Sequence, residues 1–600
     1  MLTLFPFFPQ LLVLNSIFIF CFKKWLGPTG IFYFSVFIIL SSALLASLDL
    51  FNNLTLGSYY YVDFGRWFSS SEIIDMHLAF CFDNLALILS VVVLLLTSLA
   101  QLFGVEYMFR EAFAARLVYL LNMFATSVIL LFVVYDFFLV LVVWELIGLF
   151  SFLLVNFYSQ RIYTIKASLK TFIFSRISDM FIFLAFNLTI LVFNSTDISI
   201  IFLKLPFFIF HVFYINNFAI NFIFILSLFI SLAGCIKGAQ FFFHVWLPDA
   251  MEAPTPASAL IHSSTLVIMG IYLIVRFSLL FEFCVFTNYF LSILGGLTIA
   301  FGATVASFQN DIKKLVAYST ISQMGYLICG CGFCSYEEVI MYLIMHAVNK
   351  AFLFIIVGYT VHFFSGNTDL RQISNSYIYS LDVCVFFFTI SVNLIGLPYS
   401  SGFYSKEFLL FQILRDDFVS YVVRATWLVS FCFTPFYMFL LNKSILFGPK
   451  KGVSSVYYSI KDGSSLNVFS LFRTARFDKN LVHHFNQHSL FSSRFTSVVL
   501  FFFWVVFMFA GEFLLLVLMN FSTPLDSVYS SFFVDFSSFT CFSTNNASFF
   551  TLDVLFSYII LSTLVAIKFL YMFKFKNARD SIGLFFLVDF LLFSFIFLSL

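Results

Sequence analysis

HVWLPDAMEAPTPASALIHSSTLVIMGIYLIVRF, residues 244–277, sets the terms on which the rest of the chain must be read. Its second half is apolar enough to lie in lipid, while its first half carries Pro248, Pro254 and Pro256 between apolar flanks. A proline removes a helical hydrogen bond and forces a break. Inside a membrane, irregular backbone survives only where protein or water covers it. Lys237 stands just upstream, in SLAGCIKGAQFFFHVWLP. A second stretch, NLIGLPYSSGFYSK (393–406), places Gly396, Pro398 and Gly402 just before Lys406. Paired broken helices in two halves of one chain mark transporters built from inverted repeats, with the ion path at the break. The correspondence predicts two related five-helix units, 114–277 and 289–443.

Composition agrees. Of 600 residues, 62% are hydrophobic and 10% charged, with a mean hydropathy of +1.03. Soluble domains carry about 45–50% apolar and about 25% charged residues, so the surrounding solvent is lipid. At roughly 20 apolar residues per span, the chain reads as about fifteen or sixteen helices. They centre near 12, 40, 93, 125, 147, 184, 228, 267, 299, 321, 350, 394, 430, 508, 563 and 591. The expected fold is an all-α polytopic membrane protein with two inverted five-helix repeats containing broken helices. N-terminal helices fill 1–113, a basic inward loop with His483, His484 and His488 fills 444–495, and further spans fill 496–600.

Basic residues (Lys23/Lys24, Arg110/Arg116, Arg161/Lys166/Lys170, Lys313/Lys314) follow odd-numbered spans. Lys and Arg collect on the side of insertion, so the N-terminus is expected outside and the basic loops inside. The net charge of +1 argues against a nucleic-acid partner. The 96 phenylalanines have no physical necessity; T-rich codons of an AT-rich organellar genome account for them. Cys329, Cys331 and Cys334 form C-x-C-x-x-C at the end of an apolar helix, and no second cysteine group completes a zinc or iron–sulfur set. No secretory signal opens the chain.

Charges within apolar spans are costly and mark ion pathways. Here they are Glu145, Lys237, His262, His346, Lys350, Lys406, Glu407 and Glu512. His346 and Lys350 share a helix face at i, i+4. Proton transfer through lipid needs groups that gain and lose a proton near neutrality. Carboxylates, amines and imidazoles whose affinity is set by burial and by neighbouring charge can do this. For any single residue, the alternative is a structural ion pair locking helices together. A series spread over five spans is harder to account for that way.

The blocks HVWLPDAMEAPTPASALIHSSTLVIMGIYLIVRF, QNDIKKLVAYSTISQMGYL (309–327), HAVNKAFLF (346–354) and GLPYSSGFYSKEFLL (396–410) resemble, in that order, the antiporter-like proton-pumping subunits of respiratory complex I. VVWELIGLFSFLLVNFY (142–158) and RISD (176–179) add upstream blocks, and the likeness runs over about 83–440. Within that family the order of blocks, His262 and the SKE run resemble chain 5 rather than chains 2 or 4. The resemblance implies fourteen core helices with a half-channel in each repeat. It makes Glu145 and Lys237 a coupled pair, His262 the bridge between halves, His346 and Lys350 the central axis, and Lys406 the distal exchange residue. Arg176 and Asp179 would form a supporting ion pair, with His244 and Glu407 also in support.

The resemblance further implies a subunit of the proton-translocating NADH:ubiquinone reductase, with FMN, iron–sulfur clusters and ubiquinone on other subunits and no cofactor or metal here. Its setting would be the mitochondrial inner membrane, with the N-terminus in the intermembrane space. Partners would be other membrane-arm subunits (chiefly the chain 4 type), accessory subunits, and lipids such as cardiolipin. Tyr342 stands where many members carry His, Ser178 where Gly is usual, and Leu440 where Arg is common. The rival readings are a subunit of an Mrp-type sodium/proton antiporter and a structural anchor. At the C-terminus, residues 581–600 are apolar all round with Asp589 the only charge. A sixteenth span, without the long lateral amphipathic helix usual in chain 5, is expected.

Overall fold

The computed structural model describes residues 8–447, apart from short stretches at 57–58, 71–73, 109–110, 112, 216–217, 264, 364–365, 372, 374–380, 397–399 and 413–417, with the backbone alone described at 28, 56, 67–70, 74–75, 214–215, 218, 363, 381–385, 404, 408, 411–412 and 446–447. The expectations for Pro398, Glu512, the histidine-bearing loop and the spans beyond it lie outside the described residues.

Helices dominate because long apolar runs in lipid must satisfy their own backbone. α1 (Phe8–Leu56) is two spans joined at Gly27, whose φ of 68° leaves the helix. A hairpin of β1 (Tyr60–Ser70) and β2 (Ile74–Phe82) leads to α2 (Asn84–Tyr107), then α3 (Ala114–Val133) and α4 (Phe137–Val155). α5 (Ile162–Phe193) and α6 (Ile198–Lys204) precede a second hairpin, β3 (Val212–Ile215) with β4 (Phe218–Asn221). α7 (Phe222–Lys237), α8 (Trp246–Asp249), α9 (Thr255–Ser263), α10 (Leu266–Arg276) and α11 (Ser278–Glu282) follow. The remainder comprises α12 (Val285–Phe308), α13 (Ile312–Gly332), α14 (Tyr336–Phe363), α15 (Leu381–Ile395), α16 (Ser401–Gln412) and α17 (Phe418–Phe447). Among the described residues ten helical segments are long and apolar enough to cross a membrane, and three shorter apolar helices accompany them.

Polar side chains start the helices. Asp83, Asp136 and Asn221 accept from the amides of Ala86, Phe138 and Ile223 at 3.1, 2.8 and 3.0 Å. Each cap satisfies an otherwise orphaned N–H and contributes about 1 kcal/mol. Small residues then set close packing, as in other membrane bundles. A Cβ at Gly295 of α12 would lie 2.6 Å from the amide nitrogen of Cys329 on α13. Cys329 is buried in that seam, and Cys331 is also buried; both are free thiols.

The break upstream of residue 277 has a different cause from the one expected. α7 stops at Lys237, and the segment to Val245 holds Ala239 and Phe242 at φ 51° and 71°. The prolines lie in the short helices that follow: Pro248 within α8, Pro254 just before α9, and Pro256 at its second position. Proline is tolerated there because the first-turn N–H has no helical partner. A second interruption at Thr265 (φ −126°, ψ −89°) separates α9 from α10 and directly follows the turn that carries His262.

Candidate functional site

Two lysine sites and a buried stretch between them hold the intramembrane charges. In the first, α7 ends with Lys237 aimed at α4 and α5. Its side chain is 2% exposed. The ammonium donates to the Trp144 carbonyl oxygen at 2.7 Å and lies 4.0 Å from the Trp144 ring centroid. Its carboxylate within ion-pair distance is Asp179, at 3.8 Å. Arg176, one turn away on α5, reaches Asp179 at 2.9 Å and Glu145 at 3.8 Å. Glu145 therefore meets Lys237 at second hand, through Arg176 and Asp179, and is 49% exposed. The coupling of Glu145 to Lys237 that the resemblance implies therefore has no direct contact behind it here; on α4 it is Trp144 that touches Lys237.

Ser178 is part of this cluster as well. It accepts from the Trp144 indole N–H at 3.1 Å and donates to the Ala233 carbonyl at 3.2 Å, tying α4, α5 and α7 together. A glycine there would leave the indole N–H without this acceptor. His244 lies in the irregular segment, half-buried, its ring 4.6 Å from that of Phe301.

His262 is wholly buried on α9, 5.9 Å in ring centroids from Phe354 of α14. Neither of its nitrogens, nor those of His346, meets a hydrogen-bond partner among the described residues. Buried polar groups of this kind are the ones ordered water satisfies. Lys350 is fully buried and donates to Ser319 of α13 at 2.6 Å. Beyond it, Tyr342 donates to Gln323, and Tyr326 shares a hydrogen bond with Ser430 of α17. Ser319, Gln323 and Tyr326 fall at i, i+4, i+7, on one face of α13. That face runs from Lys350 toward Lys406.

Lys406 is 2% exposed on α16. Its ammonium sits 4.4 Å from the Phe431 ring centroid and 5.0 Å from that of Tyr326, with no hydrogen-bond partner among the described residues. Glu407, 7% exposed, is the next residue on the same helix. Upstream, Gly396 ends α15 at φ 81°, a left-handed cap that suits glycine.

Sequence reading missed Trp144, Ser319, Gln323, Tyr326 and Phe431. The i, i+4, i+7 spacing on α13 was visible as a signal. Nothing marked Trp144 or Phe431 out from other apolar-span aromatics.

A many-spanned helical bundle with ammonium groups buried beside interrupted helices defines a multi-pass membrane protein of the antiporter-like class. The model of the NADH:quinone oxidoreductase/Mrp antiporter transmembrane family matches residues 134–434, and that of the complex I chain 5 N-terminus matches 67–116. NADH-ubiquinone oxidoreductase chain 5 of Chondrus crispus is 33% identical, covering 75% of this chain and 68% of its own. That of Paramecium tetraurelia is 34% identical, covering 76% and 80%. That of Nyctotherus ovalis is 36% identical over 87% of this chain, which spans only 28% of that relative's length. A chain in the structure of an Mrp complex from Dietzia sp. DQ12-45-1b shares the fold, with TM-score 0.63 at 21% identity over 98% of this chain and 63% of that one. The chain belongs to the NADH-ubiquinone oxidoreductase chain 5 family.

Proposed function

We propose that this chain translocates protons in the membrane arm of a respiratory NADH:ubiquinone oxidoreductase. The observation that carries the reading is Lys237: an ammonium sealed from solvent, held by one carbonyl, one ring and one carboxylate, at the end of an interrupted helix. Such a group can alternate between charged and neutral forms as the charge around it changes, and the family supplies the driving reaction. NADH oxidation, with its FMN, iron–sulfur clusters and ubiquinone, belongs in this reading to other subunits. Lys237, His262, His346, Lys350 and Lys406 carry the protons, and Glu145, Arg176 and Asp179 tune the first site.

The half-exposed Glu145 sits mid-span on a face that also bears exposed Leu149, Ile173 and Ile177. A carboxylate facing lipid is costly, so this face suits a neighbouring membrane subunit, for which the chain 4 type is the proposal. An apolar groove of about 450 Å³ between α1, α3 and α4, lined by Ile17, Phe20, Tyr119 and Leu146, would suit an acyl chain, cardiolipin's among them. The excess of phenylalanine supports an organellar gene and so the mitochondrial inner membrane. The basic loops then face the matrix and the N-terminus the intermembrane space.

The test is Lys237→Met in the assembled complex. NADH-driven proton pumping into vesicles should collapse while the complex still purifies whole; undiminished pumping would end the reading. The shared fold with the Mrp complex keeps sodium/proton exchange as a second reading. Co-purification with a small cation-exchanging assembly, rather than an NADH-oxidising one, would favour it.

A further inference from the structure

The environment of Lys237 on its inner side is not accounted for by the lysine cluster alone. α5 carries Ser168, Thr171, Ser175, Ser178 and Asp179 in steps of three and four residues (178 and 179 adjoin), so they share one face. All five are buried. This polar strip covers about 16 Å of helix at 1.5 Å per residue and ends at the carboxylate beside Lys237. Against it lies a cavity of about 20 Å³, lined by Ser151, Thr171, Ser175, Lys237, Trp246 and Ala250. That is room for a single water, with hydroxyl partners on α4 and α5.

One ion pair joins α5 and α8, the helices that bring Thr171 and Trp246 to this cavity. Lys170 of α5 binds Asp249 of α8, and their side chains are 40% and 38% exposed. The next residues along the chain, Thr171 and Ala250, both line the cavity. Lys170 also lies toward the Arg161 end of α5, the side of the basic loops.

We propose that the Lys170–Asp249 pair is the entrance through which Lys237 exchanges protons with the inner solution, a proposal that rests on Lys237 being a proton carrier. Intact, the pair clamps α8 to α5 and closes the cavity. Parted, it admits water to the Thr171–Ser175 strip. The step moves one proton: a cavity water takes it from the inner solution and passes it to the lone pair of deprotonated Lys237, which becomes the ammonium. Only O–H and N–H bonds change. Lys170 and Asp249 act here as positioning residues, because neither touches the lysine it serves.

The test places a Thr171→Cys probe in the assembled complex in native membranes. A membrane-impermeant methanethiosulfonate is added from the basic-loop side, and modification at position 171 is read by peptide mass spectrometry. Labelling should be slow with the pair intact and about fivefold faster once Lys170→Met removes a half-exposed ion pair. The exchange K170D/D249K should make it slow again. Asp249→Asn reads the same opening should Lys170→Met not assemble. Equal labelling in all these backgrounds overturns the entrance, even where Lys237→Met abolishes pumping. Labelling that follows the pair upholds the entrance, and pumping by Lys237→Met decides separately whether protons use it.

Discussion

Lys237 and Lys406 answer one physical problem in two ways. Both ammonium groups are 2% exposed, and an unpaired charge in such a place is costly. Lys237 has a carbonyl at 2.7 Å, a ring at 4.0 Å and a carboxylate at 3.8 Å from another helix. Lys406 has two rings, at 4.4 and 5.0 Å. A hydrogen bond to a charged group contributes about 1.5–3 kcal/mol, and a desolvated cation–π contact about 2 kcal/mol. Rings attract the cation but offer no acceptor for its protons. The second lysine therefore keeps three N–H donors for whatever water reaches it. Both sites can lose a proton, but the first holds its ammonium on protein groups and the second leaves its N–H donors to water.

The largest effect is expected where the contrast is tested through the proton itself. Lys406→Arg keeps the charge, and guanidinium stacks well on aromatic rings, yet it does not deprotonate in a protein. NADH-driven pumping should fall almost as far as in Lys406→Ala, while the arginine variant assembles better. An arginine variant that pumps would show that a fixed cation suffices, and would reduce Lys406 to a structural contact.

A smaller effect separates the carboxylates. Removing one partner of a buried pair costs about 3–5 kcal/mol. Asp179→Asn should approach that figure, since it leaves Lys237 and Arg176 facing each other without the carboxylate that now pairs with both. Glu407 is next to Lys406 in sequence, and neighbours on a helix point apart, so Glu407→Gln should cost less. Thermal melting of the isolated complexes measures both. Equal losses would mean that Glu407 pairs with its lysine as closely as Asp179 does, and the contrast between the sites would go.

Much of this was legible in the chain. Span positions followed from apolar length alone, because lipid leaves the backbone few alternatives; the helices centred near 93, 125 and 350 lie where α2, α3 and α14 are found. The class of residue that would matter was legible as well, since a lysine or histidine in such a span is too costly to persist without a role. Which residue touches which was not. Choosing Asp179 over Glu145 as the partner of Lys237 depends on how α4 and α5 are rotated, and an apolar helix in lipid gives little periodic signal for that. The hairpins β1–β2 and β3–β4 were missed because they lie in connecting segments, where span length says nothing. The break after Lys237 was assigned to prolines, whereas positive φ angles at Ala239 and Phe242 produce it; neither residue type signals that conformation.

The smallest effect should come from Glu145, and it sharpens the first site most. Glu145 lies 3.8 Å from Arg176, against 2.9 Å for Asp179, so its loss should cost less than that of Asp179. Replacing it by Gln also removes a charge from a span, which offsets part of that loss. Glu145→Gln should therefore change the melting temperature little and lower pumping less than Lys237→Met does. It should not act independently of Asp179, because both carboxylates hold the same guanidinium. Residues sharing a partner couple by about 0.5–3 kcal/mol, so Glu145→Gln with Asp179→Asn should depart from the sum of the single changes. Glu145→Gln with Glu407→Gln, which have no partner in common, should be additive. Additivity in the first pair would break the chain Glu145–Arg176–Asp179–Lys237 at Arg176, and Glu145 would then answer to the neighbouring subunit alone.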